Sequence, residues 1–231
     1  MNTTGRWLLT LGLILTQGFT GLGKSEAAGS PPLRTERKLQ ITVRVDNRVH
    51  ISPDELARAE QLATQILRQA GVQVLWLDCS ITIATDQWQP VCDSPLGPTD
   101  FMLSLVDQVQ SLSPRVRENT LGFAMVPDGG RQGDRAYISS RHAHATAGRC
   151  ERSPEMILGL TAAHEIGHLL MSSGEHSRSG LMRAGWDAED FGRAARGDLQ
   201  FTDDQVKKLH AGLLARMTHQ NAAQVEAAVY R

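Results

Sequence analysis

Three observations predict an α+β domain over residues 40–218. A strand-like alternation, a capped helix and a second strand run follow one another between 40 and 77. Three more strand-length runs fall between 101 and 140. A helix entered at Ser153-Pro154-Glu155 is then apolar nearly all round from Met156 to Met171, as befits a helix buried through a domain centre.

The elements follow in order. Gln40 to Val45 alternates with Ile41, Val43 and Val45 on one face, the period of a strand. Ser52-Pro53-Asp54-Glu55 reads as a capping box with proline at the first helical position. Leu56, Ala59, Leu62, Ala63, Ile66, Leu67 and Ala70 continue as a helical apolar stripe, and Gly71 closes it. Val72 to Leu77 is the next strand, so the unit predicts a parallel right-handed crossover. Residues 80–98 read as loop. Strands are expected at Phe101–Val106, Leu121–Val126 and Arg135–Ser140, with a turn at Pro127-Asp128-Gly129-Gly130. His142 and His144 fall in an expected loop before the apolar helix, and residues 172–198 read as irregular. Thr202-Asp203-Asp204-Gln205 is a second capping box, opening a last helix of about 205–218, with 219–231 a frayed tail.

The chain of 231 residues suffices for one domain with a real core, and its formal net charge of -1 argues against electrostatic binding to nucleic acid. Arg6 followed by the apolar run Trp7–Leu15 and a small-residue stretch has a signal-peptide layout over 1–27, with cleavage after Gly23 or Ala27. The competing reading, a membrane anchor, is disfavoured because the run is shorter than the roughly 20 residues a spanning helix needs. A secreted or periplasmic protein without stable membrane insertion is therefore expected. Residues 28–39 read as a linker and 40–231 as the domain. In an oxidising compartment, Cys79 and Cys92, flanking a short polar loop, are expected to pair. Cys150 is left over.

The chemistry concentrates at His164-Glu165-Ile166-Gly167-His168, followed by His176. Positions i and i+4 of a helix share a face, so His164 and His168 can address one cation. Glu165 can reach a water on that cation without ligating it. Three nitrogen ligands and one open position describe a catalytic zinc rather than a structural one. Glu175, Asp187 and Glu189 are rivals for the third ligand, with His142 and His144 more distant candidates. Asp128 to Asp134 holds carboxylates and glycines, but no calcium-loop spacing supports a calcium site there.

The motif, the His176-Ser177 dipeptide and the Gly180-Leu181-Met182 turn resemble the metzincins, and within them matrixin-like bacterial peptidases. The pattern departs from the usual spacing. Met171 and Gly174 stand where that family carries its glycine and third histidine, and the glycine and histidine reappear as Gly174 and His176. The expansion predicts a helix that continues past Met171 and bends at Gly174 through positive φ. The resemblance implies a twisted mixed five-stranded sheet with two long helices (subdomain 40–171). It also implies a small C-terminal subdomain (172–231) carrying the third ligand, the methionine turn and the last helix. It further implies one zinc ion on His164, His168 and His176, Glu165 as general base, and Met182 as the apolar floor below the metal. Gly122, Phe123 and Ala124 would form an edge strand that binds substrate backbone. The expected protein is a monomeric zinc endopeptidase acting on peptide or protein substrates. An amidase acting on cell-wall peptides and a catalytically silent zinc-binding module are the alternatives. Glu165 speaks against the last, because a binding module needs no base.

Overall fold

The alternating run at the start of the domain becomes an interior strand, β1 (Gln40–Asn47), with Ile41, Val43 and Val45 buried. The computed structural model describes residues 38–80, 90–112, 116–117, 119–127 and 131–229, those beyond 218 by backbone alone. The expected signal peptide, the linker up to residue 37, the loop at 81–89 and the turn at 128–130 lie outside the described residues.

The architecture is α+β, with a five-stranded mixed sheet in the order β2-β1-β3-β5-β4. β2 (Gln73–Asp78) and β3 (Asp100–Val106) flank β1 in parallel, and β5 (Arg135–Ser139) extends the sheet in parallel from β3. β4 (Gly122–Ala124) pairs antiparallel with β5 and forms an edge. The parallel β1–β2 pairing is the one the strand–helix–strand spacing predicts.

α1 (Pro53–Gln69) starts at Ser52, whose Oγ accepts the Glu55 N–H at 3.3 Å. The Glu55 carboxylate turns to His144, whose Nε2 lies 3.0 Å away. α4 (Pro154–Met171) is buried from Ile157 to Leu170 and packs on α1, the sheet and α6 (Asp203–Val229). α6 lies close on α4 because residue 212 is glycine: a Cβ there would fall 1.8 Å from the Leu170 carbonyl oxygen. Arg216 of α6 is buried and donates to the carbonyls of Pro98 (3.1 Å), Gly133 (2.5 Å) and Leu169 (2.8 Å), joining the last helix to the sheet and to the end of α4. Burial lowers its pKa to about 10, so it stays charged at neutral pH. The described helices include none long and apolar enough to cross a membrane.

Several expectations are corrected. The loop expected to carry His142 and His144 is a helix, α3 (Ser140–Cys150), capped by the Ser139 side chain. Its buried residues are the small Ala143, Thr146 and Ala147, too slight to show as an apolar stripe. The expected irregular stretch after 172 contains α5 (Ala188–Ala195), nucleated by a reciprocal capping box between Asp187 and Asp190. A four-residue helix, α2 (Pro90–Asp93), interrupts the expected loop at 80–98. The last helix runs on to Val229 rather than ending near 218.

The end of α4 is corrected too. It stops at Met171, and Ser172, not Gly174, takes the left-handed conformation at φ 50°. Ser172 N–H donates to Leu169 O at 3.3 Å and Ser173 N–H to His168 O at 3.2 Å, the paired bonds of a Schellman motif. These bonds satisfy the helix-end carbonyls, which offsets the cost of a non-glycine residue with positive φ.

Candidate metal centre

Burying a turn of α4 forces its polar side chains to find partners. His164 Nδ1 lies 2.9 Å from Leu181 O, and His168 Nδ1 lies 2.7 Å from Ser173 O. A carbonyl can only accept, so both protons sit on Nδ1 and both Nε2 atoms present bare lone pairs. Those Nε2 atoms approach to 3.0 Å, and His176 Nε2 stands 3.3 Å from that of His168. Neither α4 imidazole has a proton to give the other. Tetrahedral bonds of about 2.0–2.1 Å place ligand nitrogens about 3.3–3.4 Å apart, so these two separations and the donor set fit a zinc ion, with all three nitrogens within 4.8 Å of one another.

Burial is the main cause that pushes the pKa of His164 down to about 3 and of His168 to about 4; mutual repulsion among the rings adds to it. Burial also lowers His176, which is more exposed. All three are therefore neutral and ligand-ready at physiological pH. Among the described residues, His164, His168 and His176 are the only cluster able to hold a metal. The rivals lie outside it. Asp187 caps α5 and pairs with Arg183. His142 faces Ser139 Oγ and His144 faces Glu55. Glu175 and Glu189 do not enter the cluster, and the loop weighed for calcium, 128–134, lies partly outside the described residues.

The third histidine is held by the segment after the helix. Ser177 N–H donates to Met182 O at 2.8 Å, and Ser177 bridges to Arg183. Gln205, at the start of α6, donates to Ser177 Oγ (2.9 Å) and Ser179 O (3.1 Å) while its Oε1 accepts from Thr202 N–H (3.0 Å). One side chain thus caps a helix and fixes the loop that carries His176. Met182 is buried, and a Cβ at Gly167, between the two α4 histidines, would lie 2.9 Å from its sulfur. The Leu181 carbonyl also accepts from Trp186 Nε1 at 3.1 Å, and the Trp186 ring meets His164 edge-on.

Glu165 is buried beside the triad. Burial raises its pKa to about 8, opposed by a hydrogen bond from the Ala124 backbone. β4 comes this close because residue 122 is glycine: a Cβ would fall 2.5 Å from Glu165 Oε1 and 2.7 Å from Thr161 Cγ2. Gly122, Phe123 and Ala124 are half-buried in the edge strand over Glu165. A cleft of about 780 Å³ opens onto His164, His176, Glu165 and Gly122. Its further lining, including Thr146, Arg149, Arg117 and Trp186, was not singled out from the sequence. α3 read as loop, and nothing local marks a cleft wall. Cys79 and Cys92 form a disulfide joining the end of β2 to α2, and Cys150 is a free thiol.

No family model matches the chain, and no curated protein matches it. Among solved structures it is similar to metalloproteinase-II from Bacteroides fragilis, with 13% identity, a TM-score of 0.47 and coverage of 78% of this chain. The chain spans 55% of that protein's length. It is also similar to a zinc-dependent peptidase from Methanocorpusculum labreanum, with 15% identity, a TM-score of 0.45 and coverage of 73% of this chain and 99% of the other.

Proposed function

We propose that the protein is an exported zinc-dependent endopeptidase of the metzincin type. The observation that carries this reading is the convergence of three imidazole nitrogens, two of them bare, beside a buried glutamate, under an edge strand and open to a cleft. His164, His168 and His176 would hold the ion, and Met182 would floor the site. A zinc ion there supplies a Lewis acid for a carbonyl and lowers the pKa of a water to about 7.

The remaining work falls to the chain. Glu165 is held near the triad by burial and by the Ala124 N–H. The positive charge of a bound ion favours its carboxylate form despite its raised pKa. The carboxylate takes the proton from water and delivers it to the leaving amine. The edge strand β4 offers backbone groups to an extended peptide, which would lay the scissile bond over Glu165. The disulfide suits an oxidising compartment, in keeping with the expected export signal.

The test is chelator-sensitive hydrolysis of unfolded casein, combined with metal analysis. One zinc per chain is expected in the wild type. Glu165→Gln should keep the metal and lose turnover by several orders of magnitude, whereas His164→Ala should lose both. Wild-type turnover by Glu165→Gln would sink the mechanism.

A further inference from the structure

The cleft beside the triad carries an excess of positive charge that the hydrolytic reading does not use. Among the described residues three arginines line it, Arg117, Arg149 and Arg183, against a single lining carboxylate, Glu165. Arg183 is neutralised by Asp187 and Asp190, so it serves to hold the turn that follows Met182. Arg117 and Arg149 have no carboxylate at ion-pair distance among the described residues. Arg149 lies in the last turn of α3, and its Nη2 donates to Thr146 Oγ1 at 2.8 Å. Thr146 is buried, so it holds one side of the guanidinium while the rest of the donor fork faces the cleft and its solvent.

The position relative to the reacting groups is set by α4. Thr161 lines the same cleft one turn, about 6 Å, before Glu165 on the same helix face. The Thr146–Arg149 pair lies on α3, which packs against α4. An extended peptide advances about 3.3 Å per residue. Because the arginines line the same cleft as Glu165, an extended peptide lying in it can bring the terminal group of a residue near the scissile bond to them.

We infer that Arg149, oriented by Thr146 and assisted by Arg117, forms a carboxylate-recognising subsite, so that the enzyme selects peptides with an acidic group beside the scissile bond. The carboxylate is that of an Asp or Glu side chain or of a free peptide C-terminus. This inference rests on the peptidase reading for its placement, but binding can test it without turnover.

The probes are heptapeptides of one apolar frame carrying Glu, Gln or Lys at a position moved along the chain, each with an amidated or a free C-terminus. They are titrated by fluorescence anisotropy into zinc-loaded Glu165→Gln protein. In at least one register the Glu peptide should bind roughly tenfold more tightly than the Gln peptide, the scale of a charge-assisted hydrogen bond, and the Lys peptide more weakly still. Added salt should shrink the difference. Arg149→Gln should abolish the preference and Arg149→Glu should invert it, with zinc content unchanged in both. A preference that follows the free terminus rather than the side chain identifies the C-terminal carboxylate as the ligand. Equal affinities for Glu, Gln and Lys in every register and with both termini would overturn the subsite, as would a preference undiminished in Arg149→Glu. Casein hydrolysis by the wild type, run alongside, separates the two ideas. Turnover without acidic preference removes the subsite alone; acidic preference without turnover removes the peptidase reading alone.

Discussion

Replacing Gly122 with alanine tests the contact that sets the edge strand over the buried glutamate. The added Cβ would meet Glu165 Oε1 at 2.5 Å, Glu165 Cγ at 2.7 Å and Thr161 Cγ2 at 2.7 Å, where ordinary contacts begin at 3.4 Å. Relief needs a displacement of about 0.7–0.9 Å. Either the strand lifts, stretching the bond from Ala124 to Glu165, or the glutamate swings away from the triad. Overpacking of this kind typically costs about 1–3 kcal/mol. Misplacing a reacting group by about 1 Å costs on the order of 100-fold in rate. The His164–His168–His176 cluster is not touched, so Gly122→Ala should keep full zinc occupancy, unfold at lower urea and lose about two orders of magnitude in kcat/KM on a fluorogenic peptide. Wild-type turnover and stability in this variant would refute the close-approach argument. Loss of zinc would show that the strand supports the ligands rather than the base.

Three further outcomes are expected. The stability of the metal-free protein should fall on both sides of a maximum near pH 6.5, where the two histidines of the unfolded chain together bind as much proton as the buried Glu165 of the folded one. His164 and His168 have lowered pKa values, so their contribution is complete above about 6.5 and is lost as the pH falls toward 4 and 3; Glu165 has a raised value, so stability is lost as the pH rises from about 4.5 through 8. Urea titrations across pH should show Glu165→Gln flattening the alkaline limb by up to about 1.4 kcal/mol per pH unit, and an unchanged limb would contradict the burial of the carboxyl. At the helix end, Ser172→Gly and Gly174→Ala should each be neutral or stabilising by about 0.5–1 kcal/mol, because the first relieves positive φ and the second enters open space without it; loss of zinc in Gly174→Ala would restore the bend at 174. Arg216→Ala should destabilise by about 3–5 kcal/mol in a denaturant titration, leaving three carbonyl groups without their donor, and a change below 1 kcal/mol would mean that water replaces it.

Much of this site is legible in the chain because its geometry is local. His164, Glu165 and His168 are fixed by one helical turn, and the apolar run around them announces burial. The central strands are legible from Ile41, Val43 and Val45 and from the Phe101 run, whose periodicity reflects a face turned to the core. What escapes depends on contacts distant in sequence. α3 buries alanines and a threonine, so it carries no apolar signal. The αL position fell on Ser172 although Gly174 is the better former, because Schellman bonds and the His168 side chain decide where the chain turns. Arg216 lies on a helix legible only from its capping box, and nothing near it reveals the carbonyls of Pro98, Gly133 and Leu169 that it serves.

The Ser173 peptide unit holds His168 twice, by its N–H to the backbone carbonyl and by its own carbonyl to the imidazole Nδ1. Helix ends ordinarily fray, opening and closing with little cost in free energy. Here the last turn cannot open without releasing the imidazole, and the imidazole cannot swing away without loosening the last turn. A metal bound at His168 would thus make its capture and the helix termination one cooperative unit. An ion held by that imidazole holds the chain end closed, and whatever strengthens the helix terminus lengthens the residence of the ion.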